Sequence, residues 1–82
     1  MNEETIQTLN KIMPVVARVH GEHHPELHQV LELYNEVKTA PSAALFKKLR
    51  NVTGNYAVPE DACPTYAKAY RLLETLDKAF SC

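Results

Sequence analysis

Three side chains that can bind metal ions recur at intervals of four residues in the first half of the chain. His24, His28 and Glu32 would form one stripe on a helix, because residues four apart share a helical face. Two imidazoles at this spacing can chelate Zn²⁺, Ni²⁺ or Cu²⁺, with the carboxylate as a third ligand. The alternative is a solvated polar face of this helix. The position of His24 favours this alternative, because His24 precedes Pro25, where the helix could first begin.

His20 is a further candidate metal ligand. It follows an apolar series at helical spacing and so falls on the apolar face of the first predicted helix. One interpretation is a metal ligand whose site is completed by a second chain. The other is a helix-terminal histidine that caps free carbonyls and favours the negative end of the helix dipole. With His23, His24 and His28, it also offers a pH response near neutrality.

The two cysteines allow two readings. Cys63 lies near a predicted helix start, where a thiol can become reactive, or it is a small buried residue of the core. Cys82 is the last residue, and a reducing compartment would keep both thiols free. The chain contains no Ser-His-Asp set, glycine-rich phosphate loop, acid pair or CxxC motif. The residues therefore predict a protein that is not an enzyme.

Two glycines and five prolines divide the chain into segments that must position these side chains. Apolar residues recur at steps of three and four within each segment, which predicts helices. Four helices are expected, over residues 3–20, from 24 or 25 to 38, over 41–53, and from 59 onward. Pro14 should bend the first helix or start a second piece. Gly21 and Gly54 should end the first and third helices, because glycine readily adopts the left-handed cap conformation.

The predicted helices are amphipathic and are joined by short connections. Such helices favour antiparallel neighbours, so we expect an all-α fold, an up-down four-helix bundle formed by a single domain over residues 1–82. The helices are short, and dimerisation that covers leftover apolar faces would complete the bundle. The faces are, in order, Ile6, Leu9, Met13, Val16 and His20; Leu27, Val30, Leu31, Tyr34 and Val37; Leu45, Phe46, Leu49 and Val52; and Tyr66, Ala69, Tyr70, Leu73, Leu76 and Phe80.

Composition excludes several classes of partner. The 82 residues have a net charge of -1, so no basic face for nucleic acid is expected. No apolar run approaches the ~18 residues that span a bilayer. The polar, acidic start of the sequence is unlike a signal peptide. We therefore expect a cytoplasmic protein that binds neither nucleic acid nor membranes.

Several runs of the sequence resemble the hemerythrin-like domain of iron-sulfur cluster repair proteins. The first is VARVHGEHHPEL at residues 16–27, which resembles a helix end and the turn after it. A later part of the same domain is similar to LFKKLR at 45–50, TGNY at 53–56, PEDAC at 59–63 and the Thr-Tyr pair at 65–66. From the first run to the last they span residues 16–66, more than half of the chain, in the family's order.

This resemblance implies a four-helix bundle that holds a non-haem di-iron centre through histidines and carboxylates. The implied activity is the repair of iron-sulfur clusters damaged by nitric oxide or oxidants, in a stress response. His20 matches one of the family's ligand positions. The family's two His-x-x-x-Glu pairs and its N-terminal di-cysteine segment have no counterpart, and Thr39 stands where another ligand histidine is expected.

Two functions follow as expectations. One is a non-catalytic interaction or regulatory module, a shortened relative that binds itself or a full-length repair protein. The other is a metal-binding protein of iron-sulfur repair, with iron as the implied cofactor. Its site would use His20, His24 and His28 and would be completed by self-association, because a dinuclear centre needs several inward-pointing ligands.

Overall fold

The computed structural model describes residues 3–81, and 77% of the structure is helical. Its four helices are α1 (Glu3–His20), α2 (Glu26–Thr39), α3 (Ala43–Thr53) and α4 (Pro64–Ser81). No strand occurs within this range, so the predicted all-α class is confirmed. None of these helices is long and apolar enough to cross a membrane.

The helices pack in a closed ring. α1 lies against α2, α2 against α3, α3 against α4, and α4 returns onto α1. The Cα radius of gyration is 11.5 Å, close to the ~12 Å expected for a folded chain of this length. The fold is therefore a helical bundle around one core. That core consists of Leu9, Met13, Val16, Ala17, Leu27, Val30, Leu33, Tyr34, Val37, Phe46, Leu49, Tyr56, Tyr66, Ala69, Tyr70, Leu73 and Leu76.

α1 has the predicted bounds and runs through Pro14 without a break. A second piece starting at Pro14 is therefore wrong, and the proline ring is exposed on the outer side of the helix. The predicted helix end at Gly21 is confirmed, since α1 stops at His20, but the left-handed cap expected there is wrong, because the φ of Gly21 does not lie in that region. Gly21 is needed for space instead, since an added Cβ would lie 2.2 Å from the carbonyl oxygen of Ala17 and 2.6 Å from Nε2 of His28.

The end of α3 was predicted correctly, whereas its start was placed too early. Gly54 has φ 63° and its amide N–H bonds to the carbonyl of Arg50, as expected of a left-handed cap. The helix begins at Ala43 because the hydroxyl of Ser42 accepts a hydrogen bond from the amide of Leu45 at 3.2 Å.

The predicted start of α4 at Pro59 is wrong. Residues around Pro59 form a turn, in which Ala62 N–H bonds to the Pro59 carbonyl at 3.1 Å. The helix starts at Pro64, because a proline disfavours helical backbone in the residue before it and suits the first helical position itself. Cys63 is thereby placed directly at the N-terminus of α4.

Candidate functional site

His20, the last residue of α1, is paired with Cys63. Nε2 of the imidazole lies 3.2 Å from Sγ, within hydrogen-bonding distance, although 43 residues separate the two in sequence. The imidazole also meets the ring of Tyr66 edge to face, with the ring centroids 5.1 Å apart. Both partners are half-buried. The packing of α1 against α4 therefore brings a base and a thiol together.

Cys63 also caps α4. Its sulfur lies 3.4 Å from the amide nitrogen of Tyr66, which donates to it from the first turn of the helix. The sulfur therefore stands at the positive end of the helix dipole, where negative charge is stabilised. The thiol is free, and the residue packs against the edge of the core. Cys63 thus satisfies part of each sequence interpretation, as a half-buried residue with an accessible thiol.

The spacing predicted that His24 and His28 share a helical stripe, and the structure contradicts this. α2 begins at Glu26, so His24 belongs to the preceding turn, and its imidazole points to the turn before α4 instead. Its Nε2 donates to Asp61, with both carboxylate oxygens at 3.0 Å. This hydrogen bond lowers the pKa of the exposed Asp61 carboxyl.

A second carboxylate lies on the other side of the His24 ring. Nδ1 of His24 is 3.6 Å from Oε1 of Glu26, a buried oxygen without a hydrogen bond in the part of the chain that the structure describes. The His24 ring also packs edge-on against Tyr66, with the centroids 5.6 Å apart. Protonated His24 would therefore stand between two acids, with Asp61 on one side and Glu26 on the other.

His28 lies on the first turns of α2, where it is exposed and packs over Gly21. Among residues 3–81, no three His, Cys, Asp or Glu side chains are arranged to hold one metal ion. A site completed by a second copy would draw ligands from outside the single chain. The metal site predicted at His20, His24 and His28 therefore stays a prediction.

A small groove opens beside the His20–Cys63 pair. It has a volume of about 100 Å³ and an apolar rim on α1. Val15 and Val19, one helical turn apart, are 40% and 59% exposed on this rim. The groove-lining residues are Val15, Val16, Val19, His20, Cys63 and Thr65. The thiol and the imidazole can therefore be reached from outside, between apolar side chains.

A partly buried ionic network that joins α3 to α4 was not predicted. Nη1 of Arg50 donates to both oxygens of the Asp77 carboxylate at 2.7 Å, and the Tyr56 hydroxyl donates to the same group at 2.8 Å. The sequence does contain a signal for it. Asp77 lies four residues after the core residue Leu73, and Arg50 four after Phe46, so each charge falls on an apolar face.

Comparison of the chain with protein-family models, with curated proteins and with solved structures found no match.

Proposed function

We propose that this chain is a non-catalytic interaction module that associates with a second copy of itself, on a hemerythrin-like, up-down bundle related to iron-sulfur cluster repair proteins. Each helix packs against its neighbour in sequence, and the last packs against the first. Such a bundle requires this packing order. Runs such as VARVHGEHHPEL at 16–27 favour the same relationship. The setting we propose is the cytoplasm, where reducing conditions keep the thiols free.

The region beside His20 supports a role without a dinuclear centre. Tyr66 and Tyr70 fill the space between the helices there, at 1% and 2% exposure, and pack edge to face with centroids 5.0 Å apart. Large rings in close contact leave little room for two metal ions and their ligands. An inherited bundle can lose its chemistry in this way, because function depends on the site and not on the fold.

The observation that most supports association is the exposed apolar rim of the groove. Val15 and Val19 present adjacent apolar side chains on α1. Two other large apolar side chains are comparably exposed in the described chain, and they differ in setting: Phe80 packs against Phe46, and Val58 lies in the loop before α4. A second copy bound at the α1 rim would cover the two valines. The expected assembly is a two-fold dimer, the commonest symmetry among homo-oligomers.

Solution mass over a concentration series, in chelator and reductant, tests this proposal. We expect the mass to rise toward twice that of the 9.3 kDa chain as concentration increases. Val19→Asp should keep the chain monomeric, because it places a charge where the valine would be buried. Val58→Asp, a matched change on an exposed loop valine, should leave association intact. A chain that stays monomeric at every concentration, or that associates equally well with Val19→Asp, would contradict the proposal.

A metal-binding role in iron-sulfur repair is the second candidate. It is favoured by His20 beside Cys63 and by His24 beside Asp61, two pairs of ligand-type side chains around the ring of Tyr66. Iron is the metal that the resemblance implies, and self-association would complete its site. Stoichiometric iron with a near-ultraviolet oxo-bridge band in purified protein would favour this candidate. Unchanged iron content in His20→Ala would exclude His20 as a ligand.

A further inference from the structure

We propose that Cys63 and His20 from each of two copies form a single zinc site, with a Cys₂His₂ ligand set, at the interface between the copies. The inference rests on the self-association proposed above, because the second pair of ligands belongs to the second copy. The proposed zinc site is mononuclear and structural, unlike the dinuclear iron centre that the family resemblance implies.

The separation of the two side chains fits a shared metal ion. Zinc binds sulfur at about 2.3 Å and imidazole nitrogen at about 2.0 to 2.1 Å, in tetrahedral geometry. Those bond lengths place the two ligand atoms about 3.5 Å apart around one ion. Sγ of Cys63 and Nε2 of His20 are 3.2 Å apart, so small side-chain rotations would admit the metal.

The number of ligands explains why a second copy is needed. Structural zinc takes four protein ligands, and this pair supplies two. No third His, Cys, Asp or Glu side chain joins the pair to form a site within residues 3–81. A two-fold axis through the metal doubles the pair to two thiolates and two imidazoles. That donor set, in tetrahedral geometry, selects zinc among the common divalent ions.

The backbone around Cys63 suits a metal-bound thiolate. Binding replaces the thiol proton by the metal, so each copy releases one proton to solvent, and the two thiolates balance the charge of Zn²⁺. The Tyr66 amide N–H already donates to Sγ at 3.4 Å, and such a donor beyond the ligands orients and stabilises a bound thiolate. His20 binds through Nε2 as the neutral imidazole.

The surroundings of the pair also favour a site closed by a second copy. Val15 and Val19 form the rim of the groove that gives access to Cys63 and His20. Contact between these valines and the same valines of the second copy would exclude water from the metal. His24 is a poorer ligand for this ion, because its Nε2 is occupied by the Asp61 carboxylate.

Zinc titration of the full chain under reducing conditions, combined with native mass spectrometry, tests the site. We expect one zinc ion per two chains, and the cobalt-substituted protein should show thiolate charge-transfer bands and tetrahedral d–d bands. Cys63→Ser and His20→Gln should each weaken zinc binding by more than about 100-fold, beyond the 10- to 100-fold typical of losing an outer-shell contact. Cys63→Ser is a mild change for the fold, because serine also caps helices well.

Three control variants should retain zinc: Cys82→Ser, which removes the other thiol, and His24→Ala and His28→Ala. Far-ultraviolet circular dichroism verifies that each variant is folded. Zinc binding that survives Cys63→Ser in a folded chain would overturn the site, as would one zinc ion per monomer. A dimer in chelator that takes up no zinc would also overturn it, while self-association would stand. A chain that is monomeric with and without zinc would overturn both.

Discussion

Asp77 is a carboxylate that is only 5% exposed, yet it lies on α4 among core residues. It is retained there by two strong donors, the guanidinium of Arg50 and the hydroxyl of Tyr56. The contact with the carboxylate also raises the pKa of Tyr56, after burial, which is the larger cause. A buried charge is costly unless it is paired and hydrogen-bonded, so the three side chains depend on one another.

The hydrogen bond between Tyr56 and Asp77 also stabilises a strained turn. Gly54, Asn55 and Tyr56 all have φ near 63°, and a positive φ is unfavourable for the two non-glycine residues. Tyr56 is fixed at both ends, because its amide donates to the Thr53 hydroxyl at 2.8 Å and its own hydroxyl to Asp77. The buried network therefore stabilises the backbone that leads from α3 to the loop before α4.

Asp77→Ala should lower the free energy of unfolding by about 2 to 3 kcal/mol, because it leaves the donors of Arg50 and Tyr56 without their acceptor. The loss falls short of the largest values for buried pairs, since Arg50 is partly exposed and can be hydrated. Urea unfolding followed by circular dichroism measures it. Lys78→Ala, an exposed change on the same helix, should stay within about 0.5 kcal/mol. Equal effects from the two variants would contradict a structural role for the network.

At the scale of single elements, the two glycines end helices for different reasons. Gly54 adopts a left-handed conformation in open space, and apart from its two chain neighbours no residue comes within 4 Å of a Cβ placed there. Gly21 has no positive φ, but it lies where α1 turns toward α2, and an added Cβ would meet the carbonyl of Ala17 and the ring of His28. One glycine is required by conformation and the other by packing.

Gly21→Ala should therefore be the more damaging of two matched substitutions. Overpacking against backbone costs typically 1 to 3 kcal/mol, and we expect about 2 to 3 kcal/mol here because a carbonyl oxygen cannot rotate away. Gly54→Ala should cost about 1 kcal/mol, from the left-handed φ alone. Urea unfolding of both variants gives the comparison. Adding His28→Ala to Gly21→Ala should restore only part of the loss; full restoration would show that the imidazole, not the backbone, is the obstacle.

Local signals were sufficient for some elements and insufficient for others. The apolar periodicity from Glu3 to His20 and the glycine at 54 predicted the bounds of α1 and the end of α3 correctly. The starts of α2, α3 and α4 were each placed too early, at a turn that contains proline. Proline fits both the first helical position and the turn before it, so its presence alone does not locate the start.

The candidate site could be predicted only in part, because its contacts join distant parts of the chain. His20 was singled out by its position on an apolar face, and Cys63 by its place near a helix start. Their pairing depends on how α1 packs against α4, which no local pattern encodes. The same holds for His24, whose partner Asp61 lies 37 residues away. Spacing had instead grouped His24 with His28, on a helix that begins after it.

At the scale of the whole molecule, buried tyrosines connect the helices. The hydroxyl of Tyr34 on α2 donates to the carbonyl of Ile6 at 3.0 Å and to the side-chain oxygen of Asn10 at 2.8 Å, both on α1. Tyr66 and Tyr70 occupy the space beside His20. A chain of this size has a small core, so the protonation of a few such side chains matters to its stability.

Burial raises the pKa of these tyrosines, to about 12 for Tyr34 and in the same direction for Tyr66 and Tyr70. An unfolded chain releases the tyrosine proton near pH 10, while the folded chain still holds it. Above pH 10 the unfolded state therefore binds fewer protons, and the free energy of unfolding falls as pH rises further. Below pH 10 both states are protonated and this contribution is fully present.

Urea unfolding at intervals from pH 8 to 11 should thus give a stability that falls above about pH 10, where unfolded tyrosine begins to ionise. Tyr70→Phe removes one buried hydroxyl whose pKa is raised by burial, so the stability of this variant should fall less steeply between pH 10 and 11 than that of the unmodified chain. Identical slopes for the two proteins would contradict the prediction, because they would mean that Tyr70 ionises as readily in the folded bundle as in the unfolded chain. Tyr70 is only 2% exposed and lies among apolar side chains, which disfavour the charged form.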